Sequence, residues 1–455
     1  MTRLFATLLA VAIGANANAQ SPLVGAWEGS MNVGQELRLV FRIQEANGKL
    51  SGTMDSPDQK VTGIPVSSIT STADSVFIDM SNIGITYAGK YDNMAIAGVF
   101  KQSGMSLPLE LKKTATPTEI VKPQTPKPPF TYTSEDVTFT NADKSISYGA
   151  TISMPKMIDR KYPAVLLVTG SGPQNRDEEI MGHKPFAVIA DYLTNRGYVV
   201  LRVDDRGVGQ TTGDRSNATT ADFAKDAGAA IDYLKTRKEV DAKRIGILGH
   251  SEGGMIAPMV ASERKDIDFI VLLAGPGVKI TELMEDQNAA VLKSSGLDEA
   301  VVNDYIKLYR SVEQVIITAN STQEARNRMQ QALGAWQKAV PKTSQDAVGI
   351  TDEKAAQQMI DEFAKVYENK WYNYFMKADP QPYLQRLSCK VLALNGEKDI
   401  QVLAKPNLEG IRQALMKSKS KKWETEELPG LNHLFQACKT CTSQEYAQLD
   451  ETISP

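Results

Sequence analysis

Arg244-Ile245-Gly246-Ile247-Leu248-Gly249-His250-Ser251-Glu252-Gly253-Gly254 is the stretch whose reading decides the fold. Its first five residues make an apolar run of strand length, and residues 253–262 have helical spacing, so a strand turns into a helix at Ser251. The pattern at the turn is G-x-S-x-G. So sharp a turn presses backbone against backbone, which requires small residues two positions either side of the serine and lifts its hydroxyl above the sheet edge. An ordinary glycine-rich turn with an N-cap serine would not ask for glycine at 249, 253 and 254 together.

The same alternation extends in both directions. Ala164-Val165-Leu166-Leu167-Val168, Tyr198-Val199-Val200-Leu201-Arg202-Val203 and Phe269-Ile270-Val271-Leu272-Leu273 read as strands, with helical spacing over 186–196 and 221–235 between them. Continuous apolar strands alternating with amphipathic helices predict a mostly parallel, doubly wound sheet covered on both faces. From Pro276 to Pro382 the pattern is helical only. One helix there carries Val302, Tyr305, Ile306, Tyr309, Val312 and Ile316 on a face; a second opens with capping-box spacing from Ser321 to Glu324; a third carries Met359, Phe363 and Val366. An insertion therefore interrupts the sheet, which resumes at Lys390-Val391-Leu392-Ala393-Leu394 and ends with a strand over 423–428. Because it follows the strand that precedes the acid and carries the aromatic cluster Trp371, Tyr372, Tyr374 and Phe375, residues that read first as its own core, the insertion is expected to cap the site and select substrate.

Upstream, residues 20–113 show short period-two runs, such as Leu37-Arg38-Leu39-Val40-Phe41-Arg42-Ile43, separated by turn residues at Asn47-Gly48 and Asp92-Asn93. They predict a separate all-β sandwich or small barrel. Gly25-Ala26-Trp27-Glu28-Gly29 is similar to the opening of lipocalin-like barrels, although Trp27 reads first as a core residue. Residues 114–130 contain Pro117, Pro123, Pro126, Pro128 and Pro129, a composition that favours an extended linker. The remaining unit, 131–455, opens with a hairpin-like pair at 137–139 and 146–148.

Residues 1–19 combine Arg3, an apolar run over 4–13 and Ala17-Asn18-Ala19 before Gln20, the pattern of a cleaved export signal. A periplasmic or secreted protein is expected, and no run approaches the roughly 20 apolar residues of a membrane span. At the other end, Ser454-Pro455 reads as an N-cap followed by proline at the first helical position, so a further helix is expected beyond it.

The 455 residues are 42% hydrophobic and 23% charged, which excludes a collagen-like or wholly disordered chain. With 51 Lys+Arg against 54 Asp+Glu the net charge is −3, so the basic field that attracts nucleic acid is missing. The cysteines number 3, an odd count for an oxidising compartment. Cys438 and Cys441 in Cys-Lys-Thr-Cys are spaced for a local disulfide, and Cys389 lies in an apolar run. No second Cys or His pair stands at metal-ligand spacing, so no metal is expected.

A serine hydroxyl is a poor nucleophile until a base, usually histidine oriented by a carboxylate, takes its proton. The chain has only 3 histidines, and on this kind of sheet the order is serine, acid, histidine. His433 alone follows Ser251, in the turn-rich stretch Pro429-Gly430-Leu431-Asn432-His433. His250, beside the nucleophile, must point elsewhere, and His183 comes too early to be the base, although it could line the site. The acid should follow the strand at 391–394, where Gly396-Glu397-Lys398-Asp399 offers two carboxylates. Asp399, two residues farther along the loop, has the better reach. Backbone N–H groups must receive the oxyanion: that of Glu252, after the nucleophile, and one in Thr169-Gly170-Ser171-Gly172-Pro173-Gln174, for which Ser171 is the candidate.

Gly249-His250-Ser251-Glu252-Gly253-Gly254, Asp205-Arg206-Gly207-Val208-Gly209, Gly170-Ser171-Gly172-Pro173, Asn395-Gly396-Glu397-Lys398-Asp399-Ile400-Gln401-Val402 and Asn432-His433-Leu434-Phe435-Gln436 together resemble bacterial α/β-hydrolase esterases of the EstD-like type, which carry an added N-terminal β-domain. The resemblance implies the α/β-hydrolase fold with a helical cap at about 276–382, and Ser251, Asp399 and His433 as nucleophile, acid and base. It also implies cofactor-free hydrolysis of a small-molecule ester through an acyl-enzyme. Thr169 departs from it, standing where the family often has histidine. So does the end of the chain at Pro455, where the family has a final helix. A serine aminopeptidase or other amidase would use the same triad, with a carboxylate of the insertion such as Glu282, Glu285 or Asp286 holding the substrate amine. The non-enzymatic alternative is an envelope- or carbohydrate-binding protein with an inactive hydrolase unit.

Overall fold

Alternation of apolar residues folds the N-terminal segment round on itself. The computed structural model describes residues 21–455 except positions 35, 47, 60, 93, 103, 119–121 and 157–159. The expected export signal and the turn residues Asn47 and Asn93 lie outside the described residues. The chain divides into two units at residues 120 and 121, inside the proline-rich segment.

The first unit is an antiparallel meander of β1 (Gly25–Asn32), β2 (Glu36–Ala46), β3 (Lys49–Ser56), β4 (Val61–Pro65), β5 (Ser68–Ser71), β6 (Ser75–Met80), β7 (Ile85–Tyr91), β8 (Ala95–Gln102) and β9 (Met105–Thr114). Each strand pairs with the next except β4 with β5, which form the two ends of the order, and β9 returns to β1. Between β4 and β5, Val66 N–H donates to Gly52 O on β3 and Ser67 N–H donates to Asp79 O on β6. One bent strand thus bridges the two ends, and the pairings run in a ring: of the two expected forms, the barrel is the one adopted. Leu37, Leu39, Phe41 and Ile43 face inward at period two, as do Val76, Ile78 and Met80. Trp27 is a core residue, fully buried, with its indole N–H satisfied by Leu23 O at 2.7 Å.

The second unit is an eight-stranded sheet in the order β10-β11-β13-β12-β14-β15-β16-β17. The hairpin β10 (Thr133–Thr140) and β11 (Ser147–Met154) is antiparallel, and β12 (Tyr162–Val168), β13 (Val199–Val203), β14 (Val240–His250), β15 (Phe269–Leu273), β16 (Lys390–Gly396) and β17 (Trp423–Leu428) run parallel. Helices α1 (Pro185–Asn195), α2 (Thr220–Thr236) and α3 (Glu252–Glu263) connect the early strands. Ile245 and Ile247 face one buried layer while Leu248 faces the other, as two-sided coverage requires. The chain steps from β12 to β13 on one side and to β14 on the other, so a crevice opens at the carboxyl ends of β12 and β14.

The insertion follows β15 as α4 (Ile280–Ser294), α5 (Glu299–Thr318), α6 (Thr322–Ala339), α7 (Lys342–Ala347), α8 (Glu353–Glu368), α9 (Lys370–Met376) and α10 (Gln381–Gln385), before α11 (Ala404–Met416) joins β16 to β17. Val302, Tyr309, Val312 and Ile316 are buried as the spacing predicts. In α8 the most buried positions are Ala356, Ile360 and Ala364, one step round from the predicted face; Met359, Phe363 and Val366 flank them. The capping box at Ser321 is offset too: Ser321 Oγ accepts Glu324 N–H, but Glu324 Oε2 reaches back to Asn320 N–H. The insertion's two ends meet, Gln381 Nε2 donating to Gly277 O at 2.5 Å and to Gly410 O at 2.9 Å.

Part of the expected linker is anchored on the second unit. Lys122 is buried with its ammonium on Ala447 O and Leu449 O, and Gln124 bonds the backbone of Thr452 and Ile453. Proline content signals extended backbone, but not whether that backbone lies against a surface. Among the described residues no helix is long and apolar enough to cross a membrane.

Candidate active site

Steric crowding builds the turn at Ser251. A Cβ on Gly249 would lie 2.0 Å from Gly253 O, and one on Gly253 would lie 2.1 Å from Val168 O, so only glycine lets α3 leave β14 beside the end of β12. Ser251 sits at φ 54° and ψ −117°, a left-handed conformation costing a non-glycine residue about 1–3 kcal/mol. Its N–H is held by Leu273 O at 2.8 Å. The residue is half-buried.

Parallel strands put their carboxyl ends on one side, so the loops after β14, β16 and β17 share an edge. There His433 Nδ1 lies 2.7 Å from Asp399 Oδ2, with the Asp399 side chain completely buried. The other oxygen, Oδ1, accepts Gln401 N–H at 2.7 Å and Val402 N–H at 2.9 Å. Glu397, the competing carboxylate, turns outward. Its Oε2 accepts Gly430 N–H and its Oε1 meets Lys398, contacts that hold its carboxyl below the usual range. The His433 turn is drawn tight by Asn432, whose Oδ1 accepts Leu434 N–H and Gln436 N–H.

The loop after β12 reaches the same place. A Cβ on Gly170 would lie 3.1 Å from Ser251 Cβ. Among the described residues neither Ser171 N–H nor Glu252 N–H donates to another group of the chain. The loop is braced by Asp205, which accepts from Thr169 Oγ1 at 2.7 Å and Gln174 N–H at 3.0 Å, and by Arg215, which bonds Asp205 and Gly172 O. Burial pushes Asp205 up to about 6. Thr169 thus uses its hydroxyl as a brace where the resembling family often has histidine.

Some of these partners were illegible in the sequence. The Glu252 carboxylate is buried, and burial raises its pKa although Thr220 Oγ1 at 2.6 Å, Trp371 Nε1 at 2.8 Å and the Ser171 side chain all donate to it. Trp371 comes from α9, so the insertion touches the residue after the serine. Within its aromatic cluster only stacking, such as Trp371 on Phe375, follows from spacing. His250 is tied up in other contacts, with Nδ1 on Glu178 Oε1 and Nε2 on His433 O, both at 3.0 Å. Glu178 lies in Asn175-Arg176-Asp177-Glu178-Glu179, which carries no local signal that one of its acids is buried. His183 does not line the site: it is fully buried between Thr452 Oγ1 and Tyr446 O, and burial pushes it down to about 4. Cys438 and Cys441 form a disulfide five residues beyond His433, and Cys389 is a buried free thiol.

The family model described as serine aminopeptidase, S33, matches residues 183–435, more than half of the chain, with Ser251, Asp399 and His433 inside the match. The chain belongs to the serine aminopeptidase S33 family. Its fold is accordingly the α/β-hydrolase fold, preceded by an all-β unit. Within the curated relatives, this S33 chain is 30% identical over 244 residues to esterase EstD of Thermotoga maritima, covering 54% of this chain and 48% of that one. It is 33% identical over 128 residues to dipeptidyl peptidase 8 of Homo sapiens, covering 27% and 14%. The chain thus spans half or less of the length of these relatives. Among solved structures, the Pyrococcus furiosus esterase Pf2001 matches with TM-score 0.42 and 17% identity, covering 70% of this S33 chain and 90% of the other. The resemblance to EstD-like esterases read from the motifs is met by the EstD match.

Proposed function

We propose that the protein is an exported serine carboxylic ester hydrolase of the periplasm or the secreted fraction, acting on a small-molecule ester through an acyl-enzyme. Ser251 attacks the ester carbonyl; His433 Nε2 takes the serine proton and passes it to the departing alcohol. Asp399 holds Nδ1–H and stabilises the imidazolium, while the N–H groups of Ser171 and Glu252 receive the oxyanion. Water then repeats the sequence and releases the acid. The observation that carries this reading is the buried Asp399–His433 hydrogen bond of 2.7 Å on the same strand edge as the strained serine. The similarity to EstD supports the choice of ester. The test is turnover of p-nitrophenyl esters together with labelling by a fluorophosphonate. Both should vanish in Ser251→Ala, and turnover persisting in that variant would refute the reading.

One observation favours a second reading, an amidase or aminopeptidase. Glu313 in α5 is buried with Oε1 unpartnered among the described residues, and burial, with Glu285 beside it, pushes it up to about 9. Asp286 is also raised, by burial and by Glu285 and Glu282. A protonated substrate amine would relieve this like-charge crowding. Aminoacyl nitroanilides decide between the two: hydrolysis of these faster than of esters, lost in Glu313→Gln, would favour the amidase.

A further inference from the structure

Taking the serine hydrolase reading above as its basis, we infer that Glu178 and His250 are positioning residues, a buried carboxylate–imidazolium pair that ties the oxyanion loop to the loop carrying the base. The pair lies outside the triad, and its two anchors are backbone groups. Glu178 Oε1 accepts Gly170 N–H at 2.6 Å, next to Ser171, while His250 Nε2 donates to the carbonyl of His433 at 3.0 Å. Glu178 and His250 are closed on each other at 3.0 Å and are both nearly inaccessible to water.

Counting hydrogens determines the charge. A carbonyl oxygen can only accept, so Nε2 of His250 must carry a hydrogen. A neutral imidazole has one N–H, which would leave a bare Nδ1 facing a carboxylate oxygen, two acceptors with nothing between them. The pair must hold one more proton than a neutral imidazole and a carboxylate, on one side or the other. Gly170 N–H donates to that same carboxylate oxygen and favours negative charge there, so the proton resides on His250. Burial alone would pull the imidazole down, yet the charge and hydrogen bond of Glu178, with the His433 carbonyl and the charge of Asp399, carry it above its ordinary value. The other groups facing the pair are the His433 ring, 4.8 Å from that of His250 between centroids, the Phe435 ring, and Asp205, whose carboxyl the charge of Glu178 helps to raise.

The function of such a pair is geometric. Glu178 is held at φ 51°, in the left-handed region, and so brings its carboxylate under Gly170. His250, the residue before the nucleophile, transmits that position to the backbone of His433. Donor loop, nucleophile and base are thereby set by one rigid contact instead of by three independent loops.

The test is made on the full chain labelled with ¹⁵N in its histidines, of which there are 3, each assigned by single substitution. At pH 8 both ring nitrogens of His250 should report bound protons; a bare Nδ1 overturns the inference. Glu178→Gln supplies the kinetic arm, because an amide cannot serve Gly170 N–H and an imidazolium without losing the balancing charge. Normalised to sites titrated with fluorophosphonate, kcat should fall about 10- to 100-fold with KM within about twofold, as expected when reacting groups are displaced by a fraction of an ångström to an ångström. An unchanged kcat per titrated site, or a loss confined to KM, overturns it. Should Glu178→Gln fail to fold, the spectrum of the unsubstituted protein still decides. Turnover that survives Ser251→Ala would instead sink the hydrolase reading, an outcome separate from the state of His250.

Discussion

Replacing Asp399 by Asn changes one atom and should nearly abolish turnover. The structure sets which way the new amide faces. Oδ1 accepts two backbone N–H groups, from Gln401 and Val402, so turning the NH2 toward them would strand two buried donors at about 1–3 kcal/mol each. The NH2 therefore takes the place of Oδ2 and donates to His433 Nδ1, which forces the ring hydrogen onto Nε2, the nitrogen that must accept from Ser251. In a comparable triad this tautomer error lowers kcat about 10⁴-fold, about 5 kcal/mol at the transition state. Folding should survive, because size and backbone contacts are kept. The assay is p-nitrophenyl ester turnover per milligram of protein with an unchanged circular dichroism spectrum, run beside Glu397→Gln. Glu397 is on the surface and its contact with Gly430 can be kept by an amide oxygen, so that variant should retain most activity. If Glu397→Gln is the more damaging, Glu397 is the acid; if neither matters while Ser251→Ala is inactive, the triad reduces to a nucleophile with an unidentified activator.

Other outcomes follow from single contacts. Trp371→Phe keeps the ring but takes one donor from the buried Glu252 carboxylate, so stability should fall by about 1–3 kcal/mol and the preference among acyl lengths should shift; an unchanged melting temperature and selectivity would refute the role of that contact. Protein denatured without reductant should titrate one thiol, from Cys389, and three after reduction, whereas three before reduction would exclude the Cys438–Cys441 bridge. His183 is neutral in the fold down to about pH 4, while in the unfolded chain it binds a proton below about 6.5, so stability falls as pH drops from 6.5 to 4, by about 3 kcal/mol at most. Melts across that range should flatten in His183→Gln, and an unchanged slope would show that another group sets the acid limb.

What could be read in the sequence was what has a local cause. The turn at Ser251 was legible because crowding within a few residues demands its glycines, and the parallel sheet because its inner strands, such as β12 and β15, are continuously apolar. His433 was legible because histidines are scarce and the chain order is restrictive. Asp399 was preferred to Glu397 on loop reach alone; what the sequence could not show is that Asp399 meets His433 and the N–H groups of Gln401 and Val402 while Glu397 turns to solvent. Glu178 and His250 stand 72 residues apart, and His250 and the His433 carbonyl 183 apart, distances over which no periodicity carries information. The barrel differed from a sandwich only by the bend at Val66 and Ser67, a matter of pairing and not of composition.

The hydrogen bond from Gln381 to Gly277 has a bearing on how this molecule can change. It brings entry and exit of the insertion to the same spot, so the strands on either side need not move when the intervening chain grows or shrinks. Closing a loop costs only about 0.6 kcal/mol more for each doubling of its length, so a cassette of another length could replace the six helices α4–α9 at little closure cost, provided that it covers the apolar surface they share with the sheet. The turn at Ser251 and the Asp399–His433 contact belong to loops outside the cassette, while Glu252 would lose the donor that Trp371 supplies. Descendants of such a chain can acquire new substrates by exchanging what lies between two adjacent points, without renegotiating the chemistry.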